Sequence, residues 1–207
     1  MAEMKKKSTI LKDTFALTLI TVVAGLALGF VFELTKGPIA QREMEEKTAA
    51  YEAVYSESDS FGETEEIKAA VEDSANILSA SGLAGVSVNE VYVAYDKDGN
   101  ELGYVMSVSS SKGFNGEVTL SLGLSKEGEI KGIEFLVLNE TSGLGSKAAD
   151  PEFKGQFVGK SEETYEVVKG SATGNQINAI SGATVTSEAV TSAINAAIYF
   201  INNIGGQ

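Results

Sequence analysis

Residues 90–109 read EVYVAYDKDGNELGYVMSVS, and residues 117–138 read EVTLSLGLSKEGEIKGIEFLVL. In both stretches apolar and polar side chains alternate on either side of a short polar turn with one glycine. The turns are Asp96-Lys97-Asp98-Gly99-Asn100 and Ser125-Lys126-Glu127-Gly128-Glu129. Alternation with period two places the apolar residues on one face of an extended chain, and a glycine in a short polar link lets that chain reverse. Strands are therefore expected over residues 90–95, 102–109, 117–124 and 130–138, forming two hairpins of a mostly antiparallel sheet. The period then changes. In residues 187–204 Val190, Ile194, Ala197, Ile198 and Ile201 recur at helical spacing, so a helix should pack its apolar face on the sheet. The expected class is α+β.

Upstream, residues 14–32 read TFALTLITVVAGLALGFVF, nineteen residues without a charge. As a helix that is roughly 28 Å, close to the thickness of a bilayer core. Residues 1–32 carry Lys5, Lys6, Lys7 and Lys12 against Glu3 and Asp13, a net +2 that leaves −15 on the rest of a chain whose total is −13. Lysines before the span and acid after it orient a single-pass anchor with its N-terminus in the cytoplasm and the following domain outside the cell membrane. A cleaved signal peptide is the rival, but its apolar region is usually shorter, about 7–15 residues. The acidic outer part argues against nucleic acid as a partner. After the span, Lys36-Gly37-Pro38 should break the helix. Residues 41–55 should form an amphipathic helix, residues 56–64 a loop and residues 65–78 another helix. The expected organisation is a cytoplasmic N-terminus (1–13), a transmembrane helix (14–35), a helical linker region (36–85) and a folded domain (86–207).

There is no cysteine and no histidine. That excludes disulfides, thiolate-held iron–sulfur clusters, histidine-ligated haem, the usual zinc sites and Ser/His triads. Redox chemistry in this chain would need an organic cofactor; no metal ligands are assigned.

Two loops stand out. Ser181-Gly182-Ala183-Thr184-Val185-Thr186-Ser187 precedes the C-terminal helix. Its small residues permit close approach, its hydroxyls are dense, and the free N–H groups of a helix start favour an anion. Read alone, it is more simply a helix cap supplied by Thr186 or Ser187. Asn139-Glu140-Thr141-Ser142-Gly143-Leu144-Gly145-Ser146-Lys147 follows the last strand; two glycines two apart suggest an irregular turn with exposed backbone N–H groups.

Together and in this order the loops resemble those of the FMN-binding domain family, which includes the G subunits of Rnf electron transport complexes and the C subunits of sodium-pumping NADH:quinone oxidoreductases. Ser181-Gly182-Ala183-Thr184 looks like the family's flavinylation motif. Glu140-Thr141-Ser142-Gly143-Leu144-Gly145 looks like its E-T-P-G-L-G loop, and Gly113-Phe114-Asn115-Gly116 like its glycine–aromatic–glycine turn. Two positions depart from the pattern: Asn178 stands where an aspartate is usual, and Ser142 where proline is common. The resemblance implies covalent FMN on Thr184 through a phosphoester, placed by a separate flavin transferase. It also implies a binding site of Ser181, Gly182, Ala183, Glu140, Thr141, Gly143, Leu144 and Gly145. The loop 140–145 is expected to meet the flavin through backbone groups and Leu144. No residue is assigned a catalytic acid or base role. The function implied is an electron-carrier subunit of an ion-translocating membrane oxidoreductase, inactive alone and partnered by the other subunits. The competing readings are the C subunit of the quinone reductase and a non-redox anchored binding or adhesion domain.

Overall fold

A computed structural model describes residues 2–204. The chain divides into two compact units, one ending at Glu45 and one beginning at Glu46. The described residues of the first unit are all helical, as the larger part of α1 (Ala2–Val54). Among the described residues this is the one helix long and apolar enough to cross a membrane, with a mean hydropathy of 2.4 over its most apolar window. Its apolar side chains are exposed all round: Phe15, Leu26 and Leu28 each show at least 70% of their surface. Its hydroxyls turn inward on the helix itself. Thr14 donates to the Ile10 carbonyl at 2.8 Å, Thr18 to Thr14 at 2.9 Å and Thr35 to Val31 at 2.9 Å. Such back-bonding satisfies polar groups that hydrocarbon cannot.

The expected break at Lys36-Gly37-Pro38 does not occur, and α1 runs through Pro38. Proline removes one N–H from the ladder and crowds the preceding turn. Helix-favouring residues follow at once, with Gln41 Nε2 donating to Glu45 Oε1 at 2.8 Å one turn on.

The second unit holds a five-stranded antiparallel sheet in the order β1-β2-β3-β4-β5. The strands are β1 (Ser60–Gly62), β2 (Val86–Tyr95), β3 (Glu101–Gly113), β4 (Gly116–Ser125) and β5 (Ile130–Leu138). The four expected strands are present, both expected hairpins form, and a third, β3–β4, joins them across Gly113 and Gly116. β1, inside the stretch expected to be a loop, adds an edge strand on β2. The single helix expected over residues 65–78 is two, α2 (Glu65–Glu72) and α3 (Ser74–Ser79), parted at Asp73. A short helix α4 (Pro151–Lys154) follows β5. Then β6 (Glu166–Val168) and β7 (Gln176–Asn178) pair in parallel and lead to α5 (Thr184–Ile204).

The core lies between one face of the sheet and α5. Val91, Val93, Met106, Val108, Leu120 and Leu122 meet Val190, Ala193, Ile194, Ala197 and Phe200, all nearly or wholly buried. Asn195 on α5 clamps the residue just ahead of β6: Tyr165 N–H donates to Asn195 Oδ1 at 2.8 Å, and Asn195 Nδ2 donates to the Tyr165 carbonyl at 2.9 Å.

On the opposite face the last turn of α1, within the second unit, packs Tyr51 and Val54, with Tyr55 just beyond it, against Ala94 and Val105. Tyr51 donates to Glu90 Oε2 at 3.0 Å, and Lys47 pairs with Glu90 Oε1 at 2.6 Å. Burial first, and then the Glu90 carboxylate, push the Tyr51 phenol far above its ordinary value of 10.0. An unfolded chain would ionise this tyrosine near pH 10 while the folded one would not. The stability Tyr51 contributes is therefore complete below about pH 10 and lost as pH rises above it. The denaturation midpoint should fall between about pH 8 and about pH 11. It should fall less in Tyr51→Phe, which at neutral pH costs about 1 kcal/mol for the lost hydrogen bond. Equal falls in the two proteins would clear Tyr51.

Candidate functional site

The C-terminal helix begins three residues earlier than its apolar pattern suggests, at Thr184. Neither Thr186 nor Ser187 caps it. Ser187 lies in the first turn, fully buried, and its hydroxyl accepts from Ile180 N–H at 3.0 Å and donates to the Ala183 carbonyl at 3.0 Å. That pair of bonds staples the preceding loop to the helix. Ala183 N–H closes a tight turn on the Ile180 carbonyl at 2.9 Å, and Gly182 takes φ +77°. Among the described residues the N–H groups of Thr184, Val185 and Thr186 find no acceptor outside the helix, and they precede its first internal bond, Ser187 N–H to Ala183 O. Three free donors at the positive end of a 21-residue helix form an anion cradle.

The second loop faces this cradle. Part of its backbone is spent internally: Leu144 and Ser146 donate to the Thr141 carbonyl and Gly143 to Ser146 Oγ. The N–H groups of Thr141, Ser142 and Gly145 make no hydrogen bond among the described residues. The loop also offers side chains. Glu140 Oε1 accepts from Phe114 N–H at 2.7 Å, and Asn115 Nδ2 donates to Thr141 Oγ1 at 3.3 Å, tying the β3–β4 turn to the loop. Gly145 is obligatory here: a Cβ would lie 2.7 Å from Glu140 Oε2 and 2.7 Å from Thr186 Oγ1.

Between the loops opens a cavity of ≈ 350 Å³ lined by Phe114, Glu140, Thr141, Leu144, Gly145, Gly182, Ala183, Thr184, Val185 and Thr186. Of the residues singled out from sequence, it gathers Glu140, Thr141, Leu144, Gly145, Gly182, Ala183 and Thr184. Gly143 is one residue outside it, and Ser181 lines a separate hollow of ≈ 310 Å³ beside Asn178 and Gln156. Phe114, Val185 and Thr186 join the lining. Phe114 (67% exposed), Leu144 (42%) and Val185 (46%) form an apolar lip that faces water. The signal for Phe114 was the glycine–aromatic turn; for Val185 and Thr186 it was only their adjacency to Thr184.

Asn178 uses its side chain as an acceptor, from Ala172 N–H at 3.0 Å, while its backbone is bridged by Gln156. An aspartate would accept the same bond, so this departure leaves the loop's support intact.

Gly182 is the point where the loops nearly touch. A Cβ there would be 3.1 Å from Leu144 Cδ2 on a left-handed backbone. Gly182→Ala should cost about 1–2 kcal/mol in strain and displace Leu144 at the cavity mouth. A thermal melt would show the strain; an unchanged melt would mean the turn relaxes freely.

The cavity, the free N–H donors at its edge, the Thr184 hydroxyl and the apolar lip have the chemistry to receive a phosphate joined to an aromatic group. Residues 113–199 match the family model of the FMN-binding domain, a segment that contains both loops and most of α5. The chain is 35% identical over 192 residues to the G subunit of the Na(+)-translocating ferredoxin:NAD(+) oxidoreductase complex of Acetobacterium woodii, covering 91% of this chain and 89% of that one. It is 25% identical over 206 residues to the G subunit of the proton-translocating ferredoxin:NAD(+) oxidoreductase complex of Clostridium ljungdahlii, covering 100% and 99%. The solved structure of Shewanella oneidensis NqrC overlays with a TM-score of 0.49 and 22% identity, over 56% of this chain and 61% of that one. The chain belongs to the family of G subunits of ion-translocating oxidoreductase complexes.

Proposed function

We propose that this chain is the electron-carrying subunit of a membrane complex that exchanges electrons between ferredoxin and NAD and couples them to ion transport. Its FMN is esterified through the phosphate to Thr184 Oγ1, and its domain lies outside the cytoplasm. The observation that carries this reading is the convergence at one cavity of the Thr184 hydroxyl and three free N–H donors, beneath the Phe114–Leu144–Val185 lip. The residues present fit the group. The first turn of α5 would hold the phosphate, Leu144 and Phe114 would flank the ring, and Thr184 would supply the oxygen of the ester after losing its proton. A flavin transferase using FAD would make that bond as the pyrophosphate breaks and AMP leaves. FMN supplies one- and two-electron redox chemistry when bound; the chain supplies position, charge and an anchor.

The similarity to the G subunits over nearly the full chain favours this reading over the C subunit of a quinone reductase and over an adhesion domain. The test is intact mass and visible absorption of the chain made with its flavin transferase. One FMN less water per chain, with a flavin spectrum, is the expected result; a colourless chain at the sequence mass would end it. Orientation follows from the lysines ahead of the span. Protease added to intact spheroplasts should digest residues after the span while sparing a cytosolic control. Protection until lysis would reverse the topology, and with it the need for electrons to arrive through partner subunits in the membrane.

A further inference from the structure

Glu140 carries a carboxylate oxygen that the protein leaves without a partner. Oε1 is fixed by Phe114 N–H, whereas Oε2 is buried and makes no hydrogen bond among the described residues. Leaving such an oxygen unpaired is costly, and native structures rarely do so without a function. Its position is informative. Oε2 and Thr186 Oγ1 each lie 2.7 Å from the point where a Gly145 Cβ would be, and Glu140, Gly145 and Thr186 all line the cavity beside the first turn of α5. A second anion cannot be what Oε2 awaits; it needs a donor. That donor must sit close to whatever occupies the cradle, because Thr186 is two residues past Thr184 on the same turn. In FMN the groups next to the phosphate are the hydroxyls of the ribityl chain. The other donor, the N3–H of the ring, is separated from the phosphate by the whole chain and most of the ring.

We propose, resting on the FMN reading above, that Glu140 Oε2 accepts a hydrogen bond from a ribityl hydroxyl, with Thr186 Oγ1 as a second contact. Glu140 is then a residue that selects a polyol-linked flavin and positions its chain. A flavin whose linker lacks hydroxyls leaves Oε2 unpaired.

The experiment uses the full chain in detergent, loaded by its flavin transferase from FAD or from an FAD analogue whose ribityl chain is replaced by an unsubstituted pentyl chain. Intact mass reports loading, and thermal melts report the rise in Tm over the unloaded chain. In the unchanged protein the natural flavin should raise Tm by about 2–4 °C more than the hydroxyl-free one. In Glu140→Ala the two flavins should give equal rises. In Glu140→Gln the natural flavin should keep most of its advantage, because a hydroxyl can accept from the amide as readily as it donates to a carboxylate. Equal rises for both flavins in the unchanged protein overturn the proposal, and that comparison stands even if a variant does not fold. Equal rises there together with losses for both flavins in Glu140→Gln would instead assign Oε2 to the ring N3–H. A wild-type chain that gains no flavin mass from FAD sinks the FMN reading itself and the proposal with it. A chain loaded from FAD whose flavin sits away from this cavity, with melts unaffected by Glu140, sinks the proposal alone.

Discussion

Thr184→Ala is expected to take covalent FMN from one per chain to none while leaving the domain folded. The two halves of that expectation rest on different observations. Thr184 lines the cavity, is half-buried, and is the first residue of α5. Among the described residues its hydroxyl makes no hydrogen bond, so it is free for esterification, and its removal takes away no support. Alanine is the best helix former, so the first turn should persist and stability should change by less than about 0.5 kcal/mol, as for substitutions away from packing and caps. Its hydroxyl neighbours are placed differently. Ser187 Oγ is committed to Ile180 and Ala183 and is fully buried, so Ser187→Ala should lower stability by about 1–3 kcal/mol for the unpaired groups it leaves. Thr186 is 1% exposed and faces Gly145. Intact mass of the three variants, each made with the transferase, separates the roles. An adduct that survives in Thr184→Ala, or maps to Thr186, refutes the attachment site.

Much of this molecule was readable from sequence because its signals are local. Residues 130–138 form a strand with those limits, and both hairpins form, because alternation and a turn glycine act within a dozen residues. What was missed depends on distant partners. Ser60, Phe61 and Gly62 are too few to show a period, and they become β1 only by pairing with Val93, Ala94 and Tyr95. β6 and β7, three residues each, pair in parallel for the same reason. Pro38 does not end α1; Gly37 beside it is also a poor helix former, and the good helix formers lie on the far side, Ala40, Gln41, Arg42 and Glu43. Thr184 and Val185 are β-branched and read as loop, yet they are helical because Ser187 staples the turn from below. At the site, the two motifs were visible in the chain, but their meeting was not. Phe114 and Glu140 are 26 residues apart and are joined through a backbone N–H, and only the sheet brings them together.

The second large effect concerns how the end of α1 is held on the sheet. Gly123 on β4 and Gly132 on β5 are register partners, and together they make a floor without side chains. A Cβ at Gly123 would lie 2.3 Å from the Val54 carbonyl oxygen, and one at Gly132 2.7 Å from Val54 Cα. Backbone cannot yield as a side-chain tip can, so Gly123→Val must lift residues 46–54 or bend β4. The cost should be about 3 kcal/mol, the upper part of the usual range for overpacking, which for a domain of this size lowers Tm by about 6–12 °C. The loss should be local. Residues 46–54 should exchange amide hydrogens faster as Tyr51 and Val54 leave Ala94 and Val105, while β4 and α5 stay protected. Flavin loading on Thr184 should persist, because Gly123 lies seven residues along β4 from Gly116, about 23 Å at the usual strand rise, and the cavity is at the Gly116 end. Gly128→Val is the control: a turn glycine at φ +81° with open space around it, it should cost only the left-handed strain of about 1–2 kcal/mol and leave residues 46–54 protected. If Gly123→Val lowers Tm no more than this control, or destabilises without faster exchange in residues 46–54, then close backbone contact is not what holds the helix end to the sheet.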